Sequence, residues 1–243
     1  MYSLQATFTK RHEVLIYIAS FFIPLLASII CVFLAKHNGH VHNEISVISA
    51  TYILYPERAI FALAVTCFYA ILSIYYTPIS PYFLEVTQNT QDKKAIEDLG
   101  LDYQWTICLQ VLFLVAWMPD VVFFGIHSIL AVGLFVLLLQ LQYLLISASK
   151  ILYPKCWLTF FRQFIFFLSI LCLCAIPTMV PASFFKDFLG SQGYARFNFL
   201  TNDPRTFWAA IFEWAYVLLC MLQMSLLSYE IHDKTKSKEH KKR

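Results

Sequence analysis

Charge is scarce in this chain. Asp, Glu, Lys and Arg together make up 14% of its 243 residues, while apolar types reach 59%. Soluble domains sit near about 25% and about 45–50%, so an ordinary soluble globule is excluded. Glycine is also rare, at six residues. No Gly-x-Gly-x-x-Gly, phosphate loop, Gly-x-Ser-x-Gly or His-Glu-x-x-His occurs, which removes the common motifs for dinucleotide, nucleotide, serine-hydrolase and zinc-protease chemistry. No basic–aromatic stripe is present, so nucleic acid is not an expected partner. Internal repeats, strand alternation and paired interrupted helices are likewise absent, and the last of these absences argues against a transporter.

Seven cysteines do not make a disulfide framework. Cys31, Cys67, Cys108, Cys172, Cys174 and Cys220 fall inside apolar runs, where free Cys behaves as a small hydrophobe. Cys156, beside Lys155, is the exception, a candidate for S-acylation or a plain interfacial thiol. No Asn-x-Ser/Thr acceptor occurs, so N-glycosylation offers no topology marker.

What the chain does have is long apolar runs. Six are expected to form membrane helices, at about 14–35, 59–77, 103–118, 122–149, 164–180 and 207–229, set against about 30 Å of hydrocarbon, the third of them short and the fourth long enough to tilt. The first starts after Lys10 and Arg11 as a signal peptide would. At 22 residues, with no small-x-small cleavage site, it reads instead as an uncleaved anchor. Pro24 near its middle predicts a kink that neighbouring helices can accommodate. Pro78 and Pro81 end the second run, and residues 82–101 read as a polar connector. Pro119-Asp120 makes a reversal, and Pro177 and Pro181 close the fifth run. The expectation is one all-α, polytopic integral domain over residues 1–243.

The basic residues orient it. With the N-terminus, the second and fourth connections and the tail on one side, that side carries 13 of the 18 Lys and Arg residues. Lys10, Arg11, Lys93, Lys94, Lys150, Lys155 and Arg162 supply seven of these and the tail six. The positive-inside rule therefore places both termini in the cytosol and the loop Asn43–Phe61 on the lumenal or exterior side. The tail, KTKSKEHKKR, suits anionic cytosolic lipids. It falls one Lys short of a dilysine retrieval signal.

Ionisable groups then gather in one lumenal layer. Glu57 and Arg58 enter the second helix there, Asp120 opens the fourth, His127 lies one to two turns inside it, and Glu213 lies two turns inside the sixth. Charge at such depth costs several kcal/mol unless paired or facing a wet cavity. Glu213 is open to three readings: pairing with Arg58 or His127 to glue helices, contact with a lipid headgroup or substrate, or proton transfer. His127 is read first as an interhelical hydrogen bond. His37, His40, His42 and Glu44 give H-x2-H-x-H-x-E in the first loop. Imidazoles suit zinc and copper, but the helical i, i+4 order of a metalloprotease site is lacking. A solvated polar loop is preferred, and neither metal nor cofactor is expected.

Taken together, Ser46, Ser49, Pro56, Glu57 and Arg58 match S-x-x-S-x-x-x-x-x-x-P-[EQ]-[RK]. The fourth helix carries His127, Ala131, Gly133 and Phe135, and the last carries Ala210, Ile211, Glu213 and Trp214. In these motifs the chain resembles the six-helix superfamily of damage-regulated autophagy modulators (DRAM), Sfk-type proteins and post-GPI-attachment lipid-remodelling factors. The first loop and last helix look closer to the GPI-remodelling branch, the His127 region to DRAM. The resemblance implies a role in lipid remodelling of GPI anchors in the endoplasmic reticulum or Golgi, with membrane lipids and GPI-anchored proteins as partners. It implies Ser46, Ser49, Glu57, Arg58, His127 and Glu213 as headgroup-binding candidates. The alternative branch implies a non-enzymatic membrane organiser acting in autophagy or in phosphoinositide and lipid-asymmetry regulation, at a lysosomal or plasma membrane. With no hydrolase or transferase motif, the choice between lipid transfer and assistance to another enzyme stays open.

Overall fold

The computed structural model describes residues 22–41, 47–48, 51, 54–74, 90–118, 120–152, 156–179 and 206–240, with the side chains of 71–74, 120–124 and 227–240 excepted. These residues form helices, with no strand among them. In chain order they are α1 (Phe22–His37), α2 (Glu57–Ile74), α3 (Thr90–Glu97), α4 (Leu101–Trp117), α5 (Asp120–Leu152), α6 (Trp157–Met179) and α7 (Thr206–His240).

The end of α1 is written in Asn38-Gly39. Gly39 takes φ +71°, a left-handed conformation open to residues without a Cβ clash. His40 N–H then reaches back to Ala35 C=O (2.8 Å) and Gly39 N–H to Lys36 C=O (3.1 Å). That bond pair is the Schellman stop, which satisfies carbonyls the helix leaves open. At the start of α2, Arg58 N–H bonds to Leu54 C=O and Ile60 N–H to Pro56 C=O. Glu57 occupies the first turn, where the helix dipole favours negative charge.

The connector expected at 82–101 is helical at its centre. α3 buries Ile96 against α4 and α5, and the turn 98–100 passes through Gly100 at φ +64° into α4. A polar composition hid this because α3 presents one apolar residue inward and leaves its charges outside. The fifth run also differs from expectation. α6 begins at Trp157 rather than near 164, and Pro177 lies inside it rather than closing it. Burial of Leu158, Thr159 and Arg162 on one face extends it toward Cys156, a gain that hydropathy alone does not register.

Among the described residues, four helices are long and apolar enough to cross a membrane: Thr90–Trp117, which joins α3 to α4, Gly125–Leu152, Trp157–Met179 and Thr206–Leu226. α1 is a shorter apolar helix over its described residues. α6 packs chiefly on α7 and α4 on α5, with α5–α6 and α2–α4 contacts joining the pairs. Two apolar clusters fill the interior. One sets Phe68 against Ile96, Leu101, Trp105 and Leu145; the other sets Ala27 and Cys31 of α1 against Ile48, Phe61, Val65 and Ala116.

The outside is as apolar as the inside. Phe33 is 70% exposed, Leu63 64% and Phe160 73%, each on a helix surface. Buried instead are Glu57, Gln104, Gln142, Arg162, Ser169 and Gln223. Large apolar side chains outside and bonded polar ones inside are what hydrocarbon surroundings select, since helix association there is driven by packing and interhelical hydrogen bonds rather than by apolar burial.

Candidate functional site

One end of the bundle collects the C-terminal ends of α1 and α4 with the N-terminal ends of α2, α5 and α7. Glu57 is fully buried there. Its carboxylate accepts a hydrogen bond from Asn38 Nδ2 (2.7 Å) and lies 3.2 Å from His40 Nδ1 through both oxygens. A carboxylate only accepts, so Nδ1 carries the hydrogen. Cys31 Sγ donates to Glu57 C=O at 3.3 Å. Asn38 and His40 reach Glu57 because the Schellman stop turns the chain back over the helix end. Sequence reading placed His40 in a solvated loop, and the structure corrects this. The missed signal was Asn-Gly just past a helical run, a standard stop.

Glu213, on the second turn of α7, accepts from the backbone N–H of Ile48 (Oε2, 2.8 Å). Thr51 Oγ1 in turn donates to Ile48 C=O at 2.7 Å. The bond between Ile48 and Glu213 pins the segment around Ile48 to the last helix. Ile48 and Cys31 belong to the same apolar cluster, against which Trp214 and Val217 pack. Glu57 and Glu213 thus flank one apolar plug.

His127 is buried on the second turn of α5 and donates from Nδ1 to Met118 C=O (3.0 Å), closing the α4–α5 reversal. Arg58 is half-buried beside Glu57, and among the described residues no side chain pairs with its guanidinium. Ser46 and Ser49, like His42 and Glu44, lie outside the described residues. So do the side chain of Asp120 and residues 180–205.

A second polar feature went unread in the sequence. Glu213, Tyr216, Cys220 and Gln223 recur at intervals of three and four, which puts them on one face of α7. Tyr216 O–H donates to Phe135 C=O of α5. Gln142 of α5 donates from Nε2 to Cys220 Sγ (3.1 Å), and Ser169 of α6 donates to Gln142 Oε1 (3.2 Å). Deeper still, Arg162 Nη1 donates to both Gln223 C=O (3.0 Å) and Gln223 Oε1 (2.9 Å), while Gln223 Nε2 returns a bond to Arg162 C=O (2.9 Å). Arg162 was expected in a cytosolic loop. It sits instead on the second turn of α6, with 0% exposure. Without it the non-tail basic residues divide six to five between the two sides, so the orientation argument rests on the tail.

Among the described residues no three His, Cys, Asp or Glu side chains gather as metal ligands do. The bundle end can do two things chemically. It can hold an anionic group near Arg58, and it can present an imidazole whose Nδ1 is held by a buried carboxylate.

The fold and its inverted polarity define a helical integral membrane protein. No family model matches the chain, and neither does any curated protein or solved structure.

Proposed function

We propose that the chain is a six-span membrane protein with both termini in the cytosol, acting in lipid remodelling of GPI anchors in the endoplasmic reticulum or Golgi. The observation that carries this reading is the polar bundle end, where the start of α2 and the last helix flank one apolar cluster. Glu57 and Arg58 begin α2, and Glu213 of α7 is bonded across to Ile48 of the first loop. The motif resemblance supplies the lipid class. Arg58, half-buried and beside a helix N-terminus, suits the phosphate of a glycolipid headgroup.

Mass spectrometry of GPI-anchor lipids from cells with and without the protein tests the reading, and an unchanged profile overturns it. Within it, Arg58→Ala is expected to weaken headgroup binding by about 1.5–3 kcal/mol, the worth of a hydrogen bond to a charged group. If Arg58→Ala and Glu213→Gln proteins, inserted at normal levels, restore wild-type anchor lipids in null cells, those two residues are not the site.

A second reading, a membrane organiser, is favoured by one feature. α7 runs helical to His240, well past the apolar portion that ends at Leu226, and so carries the basic tail outward on a stiff extension. Under this reading, truncation after Asp233 abolishes function. Retained function in the truncated protein eliminates it.

A further inference from the structure

The strongest chemical unit at the bundle end is His40 with Glu57 and Asn38. We propose that His40 is the general base of the bundle end, acting on the free glycerol hydroxyl of a lysolipid, with Glu57 and Asn38 as its positioning residues. This rests on the lipid-remodelling reading and gives that site a reacting group.

Three observations carry it. The Glu57 side chain is 1% exposed and that of His40 26%, so a buried acceptor holds a ring that still reaches the surface. His40 Nδ1 lies 3.2 Å from both carboxylate oxygens, which fixes Nδ1–H and leaves the Nε2 lone pair on the far side of the ring. An imidazole held by a carboxylate through one nitrogen and free to take a proton at the other is the arrangement that general-base catalysis uses. The holding is itself built in. Gly39 at φ +71° and the bond from His40 N–H to Ala35 C=O fix the backbone of His40, and Asn38 Nδ2 fixes the carboxylate at 2.7 Å. The end of an apolar helix is also where a lipid headgroup lies.

The step needs no cofactor. A hydroxyl oxygen of a lysolipid forms a bond to the acyl carbonyl carbon of a second lipid's ester, and its proton passes to Nε2. The ester C–O bond of the donor then breaks, and its oxygen takes the proton back from Nε2. One O-ester replaces another.

Purified full-length protein in phosphatidylcholine vesicles carrying lysophosphatidylinositol tests this, with a labelled acyl chain on the phosphatidylcholine and labelled phosphatidylinositol as the product. Wild type is expected to transfer the label, and His40→Asn to lose about 10²–10⁴-fold in rate. In His40→Asn the side-chain amide takes the place of Nδ1 toward Glu57, so the loop stays latched while Nε2 is gone. Equal melting of the two proteins in detergent confirms that. His40→Gln serves as the second variant should His40→Asn melt early, with the same loss expected. Glu57→Gln is expected to lower the rate less and to shift the ¹⁵N signals of His40 from one tautomer to a mixture, a change that a purely structural latch does not link to rate. Transfer at the wild-type rate by a folded His40 variant overturns the proposal, as does absence of transfer by the wild type. Neither result touches the remodelling reading, which falls only if anchor lipids in null cells are unchanged.

Discussion

Gly39 shows how much a single residue decides. A Cβ at this position would meet nothing within 4 Å, so the cost of adding one is set by backbone conformation alone. At φ +71° that cost is about 1–2 kcal/mol for an ordinary residue. Gly39→Ala is therefore expected to lower thermal stability in detergent by about that amount and to raise hydrogen exchange at His40 N–H. An unchanged melting curve would mean that the Schellman stop is not formed. Glu57 and Glu213 were legible in the sequence as costly charges at one membrane face, because charge and hydropathy are properties of single positions. Their partners were not. Nothing in Glu213 as a letter indicates that it accepts a hydrogen bond from the amide of Ile48, 165 residues away.

At the scale of elements, α6 and α7 are held by a reciprocal pair. Arg162 and Gln223 exchange side-chain and backbone bonds in both directions, with both residues fully buried. Interhelical hydrogen bonds in membranes are individually modest, so a double-mutant cycle of Arg162→Leu and Gln223→Leu is expected to give a coupling of about 1–2 kcal/mol. A coupling indistinguishable from zero would separate the two residues. The run 164–180 was legible as a span and its N-terminal extension was not, because Arg162 ends an apolar window in any hydropathy reading. The helix continues through it since Gln223 supplies both a carbonyl and an amide oxygen. The repeat Glu213, Tyr216, Cys220, Gln223 was present in the sequence at helical spacing. It went unread because Tyr and Cys count as apolar until a neighbouring helix offers them polar partners.

Taken whole, the molecule turns apolar surface outward and polar seams inward, and this arrangement predicts its chemical accessibility. Cys67 and Cys174 are exposed on helix faces, Cys156 is half-exposed just before α6, and Cys31, Cys108 and Cys220 are buried. A charged, membrane-impermeant maleimide added to the cytosolic face is expected to label Cys156, while Cys67 and Cys174 stay shielded by lipid until detergent is added. Labelling of Cys156 only from the opposite face would reverse the proposed orientation. Composition and the order of apolar runs determined by themselves that the chain is a helical membrane protein. Hydrocarbon length and the cost of buried charge act on local sequence, so that much can be read without a structure. Tertiary structure alone decided which groups those charges meet: Glu57 with Asn38 and His40, Glu213 with Ile48, and Arg162 with Gln223. Such pairings depend on the rotation and depth of helices relative to one another, which packing between distant segments sets.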